Sequence, residues 1–117
     1  MAKTVIHIFH ADDASLGVGS HVAERVRQVA ADQSVQLEVF CFGPAQSALG
    51  ASDGEVARDF NRQIDELIAA GVSVGTCLNA AKGAGTEDFL RDRGLTLQFA
   101  RDAIVRWAQE GAAVINF

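Results

Sequence analysis

LIAAGVSVGTCLNAAKGAG, Leu67–Gly85, passes from the end of a helix through a strand into a new helical turn with no room for a long loop. Leu67 is the last member of an apolar stripe, Val56, Phe60, Ile64 and Leu67, whose spacing places all four side chains on one helix face. Gly71 can supply the left-handed stop that ends such a helix. Val72–Cys77 follows the glycine as a strand, and Leu78–Lys82 offers a helical turn before Gly83.

The same alternation continues outward in both directions. Ser52-Asp53-Gly54-Glu55 places a glutamate three residues after a serine, the capping box that starts the helix of the Val56 stripe. Thr4–Phe9, Val35–Phe42 and Ala112–Phe117 read as further strands, and Leu95–Leu97 as a shorter fifth. Val18, Val22, Val26 and Val29 form one more buried helix face, Ala100, Ile104 and Trp107 another, and Thr86 caps a short helix over Glu87–Arg93. Strands alternating with helices through short connections predict right-handed crossovers and a three-layer α/β domain, with helices on both faces of a mainly parallel sheet. At 117 residues and 49% apolar, the chain has room for one such domain, residues 1–117.

Fifteen acidic residues against ten Lys and Arg leave a net charge of −5, so no positive surplus is available to hold a phosphate backbone, and nucleic acid is not an expected partner. No apolar run approaches the roughly 20 residues of a membrane span. The N-terminus leads straight into the first strand without the apolar core of a secretory signal, which points to the cytoplasm. Cys41 and Cys77 form no CxxC pair, so neither a zinc cage nor a disulfide framework is specified, and both are expected to be thiols.

In parallel sheets, sites gather at the carboxyl ends of the strands. That rule selects His10–Asp13, Gly43–Ala45 and Cys77–Asn79, and within them His10, Asp12, Gly43, Pro44, Leu78 and Asn79 as candidate site residues beside Cys77. A thiol where a strand ends and a helical turn begins faces unpaired backbone N–H groups that favour its thiolate, and Lys82 could add a positive charge. The plainer alternative is that Cys77 is a small buried hydrophobe. Cys41, between Phe40 and Phe42, reads as a core thiol whose ionisation burial opposes. Both cysteines lie near strand ends, so neighbouring strands would let the sulfurs meet as a redox pair.

His7 reads as a hydrogen-bonded core histidine. His10 with Asp12, Asp13 and His21 could ligate zinc or iron, although the spacing matches no ligand pattern, and Asp12, Asp13 and Ser15 serve equally as a helix-capping turn. Gly17-Val18-Gly19 fails as a dinucleotide fingerprint: Val22 stands at the third glycine position, and Glu38 lies in the middle of its strand rather than at its end. Gly83-Ala84-Gly85-Thr86 lacks the Gly-Lys-Ser/Thr order of a phosphate loop. No cofactor is expected.

The ordered set of LEVFCFGPA (Leu37–Ala45), the Leu67–Gly85 stretch and a closing helix with Trp107 before a last strand resembles the DsrE/DsrF-like family over nearly the whole chain. Its most specific parts are Phe42-Gly43-Pro44 and Cys77-Leu78-Asn79-Ala80-Ala81 followed by Gly83 and Gly85. The resemblance implies a five-stranded parallel sheet between helices and a homo-oligomer, a trimer or hexamer. It also implies a persulfide on Cys77, received from a donor protein and passed to an acceptor. Asn79 and the backbone after Cys77 would then hold the anion, and His10 would exchange protons. Two other readings use the same residues: a non-catalytic oligomeric module binding a small ligand at the strand ends, and a thiol redox sensor built on Cys77 and Cys41.

Overall fold

Five segments rich in β-branched and apolar residues pair into one sheet: β1 (Ala2–Ile8), β2 (Val35–Cys41), β3 (Ser73–Cys77), β4 (Thr96–Gln98) and β5 (Ala113–Asn116). The computed structural model describes Met1–Phe117. The strand order is β4-β3-β2-β1-β5, and every pairing is parallel. The connecting helices are α1 (Asp13–Ala30, continued by a short 3-10 turn), α2 (Pro44–Ala48), α3 (Glu55–Ala69), α4 (Leu78–Ala84), α5 (Glu87–Asp92) and α6 (Ala100–Gln109). The expected three-layer α/β architecture is present, with the short fifth strand at one edge as β4.

Right-handed crossovers decide which helix covers which face. From β1 through β2 and β3 to β4 the chain steps in one direction, so α1 to α5 share one face; the return from β4 to β5 crosses the other face with α6 alone. Two apolar clusters result. Ile6, Ile8, Val39, Cys41 and Val74 pack with Leu16 and Ala23 of α1, Phe60, Ile64 and Leu67 of α3, and Leu90 of α5. On the opposite face Val5, Phe40 and Cys77 pack with Ala100, Ala103 and Trp107 of α6.

Several local expectations are corrected. In α1 the buried face is Leu16, Gly19, Ser20, Ala23 and Ala30, while Val22 and Val26 flank it and Val18 and Val29 are 51% and 58% exposed. Close approach to the sheet sets this rotation: a Cβ on Gly19 would lie 3.0 Å from Ile8 Cγ1 and 3.2 Å from Phe117 Cβ, so a glycine takes the contact and Val18 and Val29 turn outward. In α6 Ala103 replaces Ile104 on the buried face, because Trp107 stands edge-on to Phe40 with ring centroids 5.4 Å apart and the helix turns to meet it. The capping box does not form. Gly54, at φ 88°, is the N-cap of α3, and Thr86, though the N-cap of α5, makes no side-chain cap bond.

Since α6 is the lone helix on its face, polar side chains seal the amino-terminal half of that side. Glu38, buried in the middle of β2, meets Lys3 Nζ at 2.7 Å and accepts two bonds from Arg106, at 2.9 and 2.8 Å, and one from the Trp107 indole at 3.0 Å. Burial pushes its carboxyl up, but the bonds from Arg106, Lys3 and Trp107 outweigh it and bring the pKa down to about 2. No helix is long and apolar enough to cross a membrane.

Candidate functional site

β3 ends at Cys77, and that residue is also the N-cap of α4, with extended backbone at φ −77° and ψ 123°. The β2 ladder stops at Cys41, opposite Thr76. A side-chain amide then takes over from the missing strand. Gly43 turns the chain at φ 65°, Pro44 opens α2, and the buried Gln46 reaches across so that its Nε2 donates to the Cys77 carbonyl at 2.9 Å while the Cys77 N–H donates to its Oε1 at 3.2 Å. Thr76 Oγ1 donates to the Cys41 carbonyl at 2.7 Å, tying the same two strand ends one residue earlier.

Gln46→Leu keeps the side chain's bulk and leaves the buried Cys77 N–H without its acceptor, while the Cys77 carbonyl, at the N-cap of α4, keeps the first intrahelical bond. We expect it to lower stability by about 1–3 kcal/mol and to change the rate at which Cys77 reacts with a small alkylating agent. Denaturant unfolding and timed alkylation check the two effects separately.

The Cys77 side chain lines a cavity of about 370 Å³ together with Phe42, Asn79, Ala80, Phe99, Ala100 and Arg101. Cys77 is only 5% exposed, so it contributes to this cavity's wall with little of its own surface open to solvent. Phe42 stacks against His7 with centroids 6.4 Å apart, and the Arg101 guanidinium lies 5.3 Å from the Phe99 ring centre. Across the first turn of α4 lies a second cavity, also about 370 Å³, whose wall includes Gly43, Gln46, Ser47 and Phe89. Ala80 belongs to both.

The strand-end residues are thus divided. Asn79 joins Cys77 in its cavity, Gly43 lies in the neighbouring one, Leu78 is half-buried in α4, and Pro44 is exposed at the start of α2. Lys82 sits in the last turn of α4, exposed, and does not line the cysteine's cavity; its charge lies at the end where a helix dipole favours a cation. Arg101 is the cation at the cysteine's cavity instead. His10 is exposed after β1 and lines neither cavity. Asp12 caps α1: its carboxylate accepts from Ser15 Oγ at 2.7 Å and Ser15 N at 3.1 Å, and these bonds hold its pKa below the usual carboxylate range.

His10, Asp12, Asp13 and His21 do not gather into a metal-binding group; no three His, Cys, Asp or Glu side chains do. His7 is hydrogen-bonded as expected, its Nδ1–H donating to Asn116 Oδ1 at 2.7 Å.

The redox pairing of the two cysteines is corrected by strand geometry. Cys41 shares a sheet face with Thr76, so Cys77, one residue on, points to the opposite face, and the two sulfurs belong to different apolar clusters. They cannot bridge without rebuilding the backbone. Cys41 is fully buried, and burial pushes its thiol up to about 12, with only a small opposing pull from Arg93.

Gln46 and Arg101 are the residues that sequence reading missed. The strand-end rule, extended to the fourth strand, selects Phe99–Arg101; no comparable signal points from Gln46 to a partner 31 residues away.

Solved structures match this geometry almost end to end. The ychN protein of E. coli superposes with a TM-score of 0.76 at 22% identity, covering 100% of both chains. The chain has the YchN-like fold. MTH1491 from Methanobacterium thermoautotrophicum, a protein of unknown function, gives a TM-score of 0.71 at 26% identity over 100% of both chains. BT1422 from Bacteroides thetaiotaomicron, also of unknown function, gives 0.76 at 13% identity, covering 98% of this chain and 94% of its own. No protein-family model and no curated protein matches the chain. These likenesses carry the fold; the chemistry rests on the site.

Proposed function

We propose that this protein is a cytoplasmic DsrE-like sulfur carrier that holds a sulfane sulfur as a persulfide on Cys77. The observation that carries this reading is the position of Cys77: a cysteine lining a cavity at the carboxyl edge of the sheet, with its backbone clamped by Gln46. Loading is a thiol exchange. The Cys77 thiolate attacks the outer sulfur of a donor persulfide, a new S–S bond forms at Sγ, the donor's own S–S bond breaks, and the donor departs as a thiolate with the electron pair. An acceptor thiolate removes the outer sulfur by the same exchange, leaving Cys77 as it began, so the cycle needs no external oxidant.

In this reading Asn79 and Arg101, the polar residues lining the cavity, hold the negative charge of the persulfide. A persulfide donor is expected to add one sulfur to the reduced protein, reversibly with reductant, in the wild type and in Cys41→Ser but not in Cys77→Ser, as read by intact mass. Uptake by Cys77→Ser would refute the assignment.

A homo-oligomer, trimer or hexamer, belongs to the same proposal. Its support is the apolar surface left uncovered: Val114 and Ile115 on the edge strand β5, Val18 and Val29 on α1, and Ile104 and Val105 on α6. Sedimentation at micromolar concentration is expected to show the assembly, and monomer alone would count against it.

The small-ligand-binding module is the second reading, and the 5% exposure of Cys77 favours it. In that case the cavity admits a ligand and the thiol serves as wall.

A further inference from the structure

We propose that the cavity beside Cys77 selects small anionic sulfane-sulfur donors, of the class of a low-molecular-weight persulfide bearing a carboxylate; this rests on the sulfur-carrier reading above. The size of the cavity, about 370 Å³, suits a small molecule, and Cys77, a residue only 5% exposed in its wall, is poorly placed to meet a cysteine on the surface of a folded donor protein. Phe42 and Phe99 give apolar walls for a short carbon chain.

Charge sets the preference. Arg101 is the only ionic side chain lining the cavity of a protein whose net charge is −5. Its side chain is 80% exposed, with the guanidinium 5.3 Å from the Phe99 ring centre and Nε 3.4 Å from Asp102 Oδ1, so solvent and this neighbour both offset part of its field. The wall next to Arg101 is the start of α6, a ten-residue helix whose N-cap, Phe99, has no side-chain oxygen to cap it, so the first N–H groups add their partial positive charge there. Arg101 is therefore a specificity-determining residue at the rim. The donor's carboxylate rests against Arg101 and the first turn of α6, its sulfane sulfur meets Cys77 Sγ, and the leaving thiolate departs past Asn79 and takes a proton from water.

Two persulfides of similar size and opposite charge test this, those of mercaptopropionate and of cysteamine, each added to the reduced wild type, Arg101→Gln and Asp102→Asn. The anionic donor is expected to load Cys77 about tenfold faster than the cationic one in the wild type, a preference that salt weakens. The ratio falls towards unity in Arg101→Gln and rises in Asp102→Asn. Equal loading by both donors in the wild type, or a ratio untouched by Arg101→Gln, overturns the donor class and leaves the carrier reading standing. Loading by neither donor overturns both. Alkylation gives the same charge preference without any sulfur transfer: at Cys77, iodoacetate is expected to lose ground to iodoacetamide when Arg101 is replaced, and an unchanged ratio contradicts the role of Arg101.

Discussion

Glu38→Ala is expected to lower the stability of the fold by about 3–5 kcal/mol, the scale for removing one partner of a buried ion pair and leaving the other charges uncompensated. Lys3, itself buried, loses its 2.7 Å contact, Arg106 loses both bonds of its fork, and the Trp107 indole loses its acceptor inside the apolar cluster. Glu110 softens the loss, since it also accepts from Lys3 and Arg106, at 2.9 and 3.1 Å. Denaturant unfolding at neutral pH measures the difference.

The same carboxylate fixes an acid limb. Its pKa falls on folding from 4.5 to about 2, so the folded state binds its proton less readily than the unfolded chain does. That contribution, about 3 kcal/mol, is complete above pH 4.5 and is lost as the pH drops through about 2. Wild-type stability should therefore decline over that window more steeply than the stability of Glu38→Ala. Parallel acid limbs in the two proteins would show that Glu38 is not the group responsible.

Gly43→Ala is the second large effect expected. Gly43 holds φ 65° and ψ −139°, a conformation open to glycine and strained for any other residue, and a Cβ at this position would overlap the Phe9 ring. The backbone strain and the forced repacking each cost about 1–3 kcal/mol. The damage is also local to the site, because this turn aims α2 and so places the Gln46 amide on Cys77. We expect lower stability together with an altered Cys77 alkylation rate. A variant as stable as the wild type would mean that the turn relaxes freely and that the glycine is there only as part of the neighbouring cavity wall.

The fold was legible because its signals are local. The stripe from Val56 to Leu67, the Gly71 stop and the strand to Cys77 each depend on neighbours within a few residues, and all three appear where the periodicity puts them. Crossover handedness then fixed which face each helix covers. Legibility ended where the outcome depends on distance in three dimensions. Apolar spacing favours the valines of α1 as its buried face, yet Gly19 takes the contact because the helix lies too close to Ile8 and Phe117 for a larger residue there.

Glu38 stood out as a lone charge inside a strand, but its partners Lys3 and Arg106 lie 35 residues before and 68 after it, beyond any local pattern. At the site, Cys77 was found by the strand-end rule alone. Its clamp was not, since α2 is a single short turn with no apolar period to announce it. Lys82, close in sequence, sits at the wrong end of its helix, while Arg101, distant in sequence, shares the cavity.

The central claim is that Cys77 is a reachable thiol in the folded protein and Cys41 is not. Timed alkylation of the native protein with iodoacetamide, with each cysteine read by peptide mass and compared with the unfolded chain, tests this directly. The account predicts modification of Cys77 in the native state and of Cys41 only after unfolding. If both stay unmodified until the chain unfolds, Cys77 is packing alone and the carrier reading is wrong.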